Sequence, residues 1–84
     1  MVGKRRDKLE IIEDLLGIAD TPFGATKTKL VYQSNLNFTR LENFLPFLIE
    51  KELIEIFNDD DSKYIITNKG RQFLKQLKLM QDML

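Results

Sequence analysis

The stretch SNLNFTRLENFLPFLIEKELIEI, residues 34–56, decides the fold. It reads as a polar turn, a helix, and the first residues of a strand. Leu41, Phe44, Leu45, Leu48 and Ile49 recur at helical spacing and give that helix one apolar face. Asn37 is a suitable N-cap, because a short side-chain oxygen accepts from an amide of the first turn. The opposite side carries Thr39, Arg40, Glu42 and Asn43. Pro46 falls in the interior, where a missing amide costs about 3 kcal/mol if nothing relaxes. The apolar register persists across Pro46, so the spacing predicts one helix over about 38–51 with a modest kink. What such a helix presents to its surroundings depends on the rest of the chain.

Upstream, DKLEIIEDLLGI (7–18) places Leu9, Ile12, Leu15 and Leu16 on one helical stripe, widened by Ile11 and Ile18. Glu10, Glu13 and Asp14 take its wet side, and the helix is expected to end near Gly17. ADTPFG (19–24) is a turn-rich connection in which Pro22 and Gly24 stop continuation. Thr26 can cap a short second helix, KTKLVYQ (27–33), that buries Leu30 and Val31. Lys27 and Lys29 stand at its start, against the helix dipole, where they are either solvated or facing an anion.

Downstream, LIEIF (53–57) and KYIIT (63–67) are β-prone runs joined by NDDDS (58–62), which suits a hairpin. Thr67 can cap a last helix, NKGRQFLKQLKLMQDML (68–84). Gly70 in its first turn either permits close approach of another backbone or is merely tolerated there. Phe73, Leu77, Met80 and Leu84 recur at heptad spacing, with Leu74, Leu79 and Met83 off that seam. One reading lays a single face on the chain's own core and leaves an apolar tail. The other joins two copies as a two-fold dimer through Phe73, Leu77, Met80 and Leu84, with the rest of the domain contributing.

Composition narrows the function. The chain has 84 residues, enough for one small domain: a basic arm (1–7), a core (8–67) and the last helix (68–84). It contains no histidine and no cysteine, so the common general base, thiol nucleophile and transition-metal ligands are missing. A domain this small has little room for a concave site. The expectation is a protein that is not an enzyme, with no cofactor, no metal and no small-molecule substrate. No apolar run approaches the ~18 residues of a membrane span, and MVGKRRDK reads as an arm rather than a signal, so a cytoplasmic location is expected.

Net charge is zero, from 13 basic and 13 acidic side chains, which offers no bulk attraction for nucleic acid. The charges are nevertheless segregated. Lys4, Arg5, Arg6 and Lys8 cluster at the start, and Lys63, Lys69, Arg71, Lys75 and Lys78 lie along the last third. Between them stand Glu42, Glu50, Glu52, Glu55, Asp59, Asp60 and Asp61 against Lys51 alone.

Three helices, a hairpin and a closing helix make a mostly α chain with a small β-hairpin, the plan of a winged helix-turn-helix. GATKTKLVYQSNLNFTRLENFLPFLIEKELIEI (24–56) and KYIITNKGRQFL (63–74) resemble the archaeal winged-helix family of small transcription regulators and dimeric chromatin proteins. The shared features fall on Thr26, Lys27 and Thr28, on Asn35 and Leu36, and on Phe44, Leu45 and Leu48. They continue at Leu53 and Ile54 and at Ile66, Thr67, Gly70 and Arg71, so the likeness spans about residues 8–80. It implies a double-stranded DNA partner and a homodimer held by the last helix. Two departures stand out. The family usually has glycine where Glu52 stands, and the wing tip here is Asn58, Asp59, Asp60 and Asp61. Adjacent carboxylates are repelled by phosphates, so this wing stays off DNA or contacts protein or a cation. It lacks the longer ligand pattern of a calcium loop.

In the helix-turn-helix mode the N-terminal residues of the second helix meet base edges in the major groove. Arg40 then suits guanine O6 and N7, Asn43 adenine, and Thr39 a phosphate or a thymine methyl. Lys27, Lys29, Ser34 and Asn35 would lie along the phosphates, with Lys4, Arg5 and Arg6 as an arm. Glu42 is discordant there unless it accepts from cytosine N4. By residue type alone, Thr39, Arg40 and Asn43 also suit an ordinary solvated face. Phe47 is expected outside the core, against helix 1 or a partner. The expected function is a sequence-preferring DNA-binding protein, a transcription regulator or chromatin protein. The alternative is a protein–protein interaction module using the acidic wing and the last helix.

Overall fold

The computed structural model describes residues 8–58 and 63–83. Its elements follow the expected order: α1 (Lys8–Ala19), α2 (Lys27–Ser34), α3 (Phe38–Glu50), β1 (Ile54–Asn58), β2 (Lys63–Ile66) and α4 (Asn68–Met83). The core forms where the apolar stripes of the helices converge on the hairpin. Ile11, Leu15 and Leu16 of α1, Leu30 of α2, Leu41 and Leu48 of α3, and Ile54 of β1 each keep at most 1% of their surface exposed. Burying one such side chain stabilises by about 1.5–3 kcal/mol before the entropy of ordering is counted. α1 runs past Gly17 to Ala19 because Ala19 is itself fully buried and the helix gains by continuing to it.

β1 and β2 pair antiparallel, with Ile54 opposite Ile66, Glu55 opposite Ile65 and Ile56 opposite Tyr64, then a bulge before Asn58 and Lys63. Tyr64 and Ile66 point into the core, while Lys63 and Ile65 are half exposed. Ala25 adds a short third rung: its N–H donates to the Tyr64 carbonyl and its carbonyl accepts from the Tyr64 N–H, both at 2.8 Å. The connection from α1 to α2 is thereby pinned to the far edge of β2. α3 passes Pro46 as one helix, and Pro46 lies on the exposed side, so the Glu42 carbonyl that lacks its helical donor is on the wet face.

Two neighbouring details hold α3, β1 and α4 in register. α3 ends in a Schellman arrangement: the Glu52 N–H donates to the Ile49 carbonyl at 3.0 Å and the Leu53 N–H to the Leu48 carbonyl at 2.9 Å. This places Glu52 at φ 63°, the left-handed region that favours glycine. The glycine that the resemblance implies at this position would suit that backbone conformation. Immediately above, the Thr67 N–H donates to the Leu53 carbonyl at 3.0 Å and the Thr67 hydroxyl donates to the Glu52 carbonyl at 2.6 Å. The same hydroxyl caps α4 by accepting from the Gly70 N–H at 2.8 Å. Gly70 settles the open question about its role, because a Cβ there would stand 2.1 Å from the Leu53 carbonyl oxygen. Arg71 then clamps α4 to the end of α1, donating to Asp20 Oδ1 from Nη2 at 3.0 Å and from Nε at 3.3 Å.

Gly70→Ala should lower stability by about 2–3 kcal/mol, since the methyl meets backbone that cannot turn aside. Thermal melting by circular dichroism reads this as a large fall in Tm. Glu52→Gly should act in the opposite direction. Relief of a left-handed non-glycine residue, about 1–2 kcal/mol, is offset by the greater freedom of unfolded glycine. A net gain of about 0.5–1 kcal/mol is expected, whereas Glu52→Ala, which keeps the strain, should show none.

Candidate nucleic-acid interface

The turn between α2 and α3 is fixed from both sides. Thr26 caps α2, its Oγ1 accepting from the Lys29 N–H at 3.2 Å. Asn35 closes α2 at φ 64°, a conformation asparagine tolerates better than most residues, and the Leu36 N–H donates to the Val31 carbonyl at 3.2 Å. Asn37 opens α3, its Oδ1 accepting from the Arg40 N–H at 2.8 Å. Asn35 therefore has a backbone reason for its identity, independent of any partner. Ser34 corrects the sequence reading. It was expected along phosphates, but only 2% of it is exposed, and its hydroxyl donates back to the Leu30 carbonyl one turn earlier. A small side chain is needed there because the turn closes directly over it.

α3 lays Leu41, Leu45 and Leu48 on the core and exposes Thr39, Arg40, Glu42, Asn43, Pro46 and Phe47. The exposed arc has two flanks of different character. Toward α2, Lys27 Nζ meets Glu42 Oε2 at 2.5 Å. The hydrogen bond to Glu42 holds the Lys27 ammonium above the ordinary lysine range, and nearby negative charge acts in the same direction. The cation that seemed misplaced at a helix start and the acid that seemed misplaced on α3 are thus each other's partners. Toward α1, Lys8, Ile12, Arg40, Asn43, Phe44 and Phe47 line a cleft of about 410 Å³. Phe47 is 42% exposed there, with the Lys51 ammonium 6.0 Å from its ring centroid. Among the described residues neither Arg40 nor Lys29 forms an ion pair, so both cations keep their donors toward solvent.

Lys8 was grouped in the sequence with the basic arm, yet it stands beside Arg40 and Asn43 in this cleft. Its spacing of four from Ile12 was the available signal. Lys4, Arg5 and Arg6 lie outside the described residues, as do Asp59, Asp60 and Asp61 of the wing tip. Among the described residues no cluster of three or more His, Cys, Asp or Glu side chains is placed to hold a metal ion. No described helix is long and apolar enough to cross a membrane.

The sequence matches the family described as winged helix-turn-helix across residues 5–84. The chain belongs to the winged helix-turn-helix family. It is 30% identical over 74 residues to the uncharacterized protein MJ0290 of Methanocaldococcus jannaschii, an alignment that takes in 88% of this chain and 33% of that protein. The chain thus spans about a third of that curated relative's length. Its fold is similar to that of Sso10a-2, a DNA-binding protein from Sulfolobus solfataricus. The TM-score is 0.80 at 23% identity, over 93% of this chain and 81% of that one. Both organisms are archaea, in keeping with the resemblance drawn from the sequence.

On this winged helix, α4 divides its surface differently from the heptad seam. Gly70, Leu74 and Leu77 are buried, Phe73 packs half-buried against the core, and Gln81 Nε2 donates to Glu13 Oε1 of α1 at 2.8 Å. Leu77, expected at a dimer interface, is 6% exposed and spent within its own chain. The reason is periodicity: positions 70, 74, 77 and 81 form one helical row that faces the chain's own body, Gly70 against Leu53 and Ile66 and Gln81 against Glu13 of α1. Met80 remains open at 54%, joined by Leu79 at 51% and Met83 at 83%, while Leu84 lies outside the described residues.

Proposed function

We propose that this winged helix is a sequence-preferring double-stranded DNA-binding protein, a transcription regulator or chromatin protein, that lays α3 in the major groove. The observation that carries the reading is the N-terminal part of α3. Thr39, Arg40 and Asn43 stand exposed together on a helix whose entry is capped at both sides of a tight turn. A reading helix must be positioned rigidly before side-chain donors can discriminate base edges. In this reading Arg40 takes guanine, Asn43 adenine, and Thr39 a phosphate or thymine methyl. Lys27, Lys29 and Asn35 lie at the backbone, with Lys8 beside Lys4, Arg5 and Arg6. The fold it shares with a protein described as DNA-binding supports the same conclusion. Its action needs no cofactor and no catalytic step, and the same reading places it in the cytoplasm.

We further propose a homodimer through α4, using Met80 with Leu79 and Met83 in place of the buried Leu77. Three adjacent, largely exposed apolar side chains on a terminal helix favour a covered face. A two-fold dimer sets half-sites roughly 34 Å apart, or a multiple of that. A second reading, an interaction module, is favoured by another feature. Ile49 and Ile56, 37% and 54% exposed, flank Glu52 and Glu55 in a groove of about 470 Å³ between α3, β1 and α4.

Fluorescence anisotropy with duplex DNA in low salt separates these readings. Arg40→Ala should reduce discrimination at one base pair by about 1–3 kcal/mol. Lys29→Ala should instead weaken binding to all duplexes and flatten the salt dependence by about one charge. Wild-type affinity in both variants would remove α3 as the reading element, and a protein that ignores duplex altogether would turn the case toward the interaction module. On a sizing column the wild type should run as a dimer and the Met80→Glu/Met83→Glu variant as a folded monomer. A wild type that stays monomeric at high concentration would dismiss the α4 interface.

A further inference from the structure

Lys27 and Glu42 meet across the turn, the first residue of α2 joined to the wet side of α3 with 38% and 52% of their side chains still open. Both belong to the face proposed above to lie on DNA, and only the lysine suits a polyanion. A lysine ammonium carries three donors on a flexible stem, so it can swing from one acceptor to another without moving α2. Glu42 shares neighbouring helix rows with Thr39 and Pro46, at spacings of three and four, and so projects with them. Once its cation leaves, its carboxylate is an acceptor with nothing to accept from.

We propose that Glu42 is a specificity-determining residue that works by exchange of Lys27: a DNA phosphate takes the lysine, and the released carboxylate accepts from the N4 amino group of a cytosine. The inference rests on the proposed placement of α3 in the major groove. The choice of cytosine follows from the groove's chemistry. Guanine N7 and O6, adenine N7 and thymine O4 are all acceptors and repel a carboxylate. Adenine N6 is a donor, but the N7 acceptor beside it opposes the second carboxylate oxygen. Cytosine alone shows a donor without an adjoining acceptor on its own edge. Exchange is therefore balanced over a C·G pair, and elsewhere it leaves a negative charge unpaired in a negative groove. The closed pair also lowers attraction for DNA in general, in line with a chain of zero net charge.

The test uses the whole chain with Glu42→Gln, which keeps the shape and removes the charge, and Lys27→Ala. Wild type and Glu42→Gln are each used to select from a randomised duplex library. The enriched wild-type duplex and a mixed-sequence duplex are then titrated by anisotropy over a salt series. Glu42→Gln should bind the mixed duplex roughly two- to fivefold tighter in low salt, the range of an exposed ion pair, and gain little on the enriched one. Its selected pool should lose a C·G preference that the wild-type pool holds. Its salt slope should steepen by up to about 0.9, and that of Lys27→Ala should become shallower by a similar amount. An equal gain on both duplexes would mean general repulsion and overturn the proposal. So would identical pools, or a Lys27→Ala slope matching wild type. If no protein binds any duplex, the exchange falls together with the DNA reading, an outcome distinct from binding with unaltered preference. Both substitutions lie on exposed side chains, and unchanged thermal melting confirms that each variant is folded.

Discussion

The first turn of α4 lies so close to the Leu53 carbonyl that only a hydrogen fits on the Gly70 Cα. That single approach orders much of the molecule. It brings Thr67 within reach of both Glu52 and Leu53, so the hydroxyl that starts α4 also closes the exit from α3. The end of the candidate reading helix, the root of the hairpin and the base of the C-terminal helix are thereby bonded at one point. Arg71, one residue later, ties the same turn to Asp20 at the end of α1, so α1 joins the same junction. A helix proposed to meet base edges gains from this, since its orientation is set at its start by Asn37 and at its far end by the α4 junction.

Most of the fold was legible because the signals were redundant. Thr26, Asn37 and Thr67 are each capping residues placed immediately before an apolar-periodic run, and each caps the helix expected of it. The strands were marked by β-branched residues on both sides of a polar loop, and their register follows from Tyr64 and Ile66 facing inward. Periodicity alone misplaced the limits of burial. The seam through Phe73, Leu77 and Met80 differs by only part of a turn from the row through Gly70, Leu74 and Leu77, and both rows contain Leu77. Which row the chain covers depends on where the rest of the chain lies, and that is a tertiary fact. Ser34 failed for a related reason: polar turn residues are usually exposed, and nothing local announces that the closing turn will bury this one.

The candidate site was legible in its residue types and not in its pairings. Thr39, Arg40 and Asn43 were found on the exposed arc as the helical wheel requires. The partnership of Lys27 with Glu42 joins residues fifteen apart in sequence and depends on the crossing of α2 over α3. Two anomalies pointed to it, a cation at a helix start and an acid on a face otherwise suited to DNA. Each local rule broken in isolation becomes consistent once the two groups are adjacent. Lys8 entered the same surface because α1 turns its first residue toward α3.

Neutrality and a tight turn together bear on how such a surface would discriminate. A strongly basic winged helix can bind through phosphates and leave sequence as a small correction. Here Lys27 is engaged internally, Arg71 and Lys69 face Asp20 and Glu52, and the total charge is zero. The sequence-independent attraction is correspondingly reduced, because each cation held by a carboxylate releases fewer counterions from DNA. Under the proposed DNA-binding reading, a larger share of the binding energy would come from base-edge contacts of α3 and from two-fold duplication of the site. The exposed Leu79, Met80 and Met83 at the far end of α4 thus become part of the same physical problem as Arg40 and Asn43. With Lys27 held by Glu42, a monomer's proposed DNA face would bind less tightly than one with every lysine free, and joining two such faces would multiply their sequence preference.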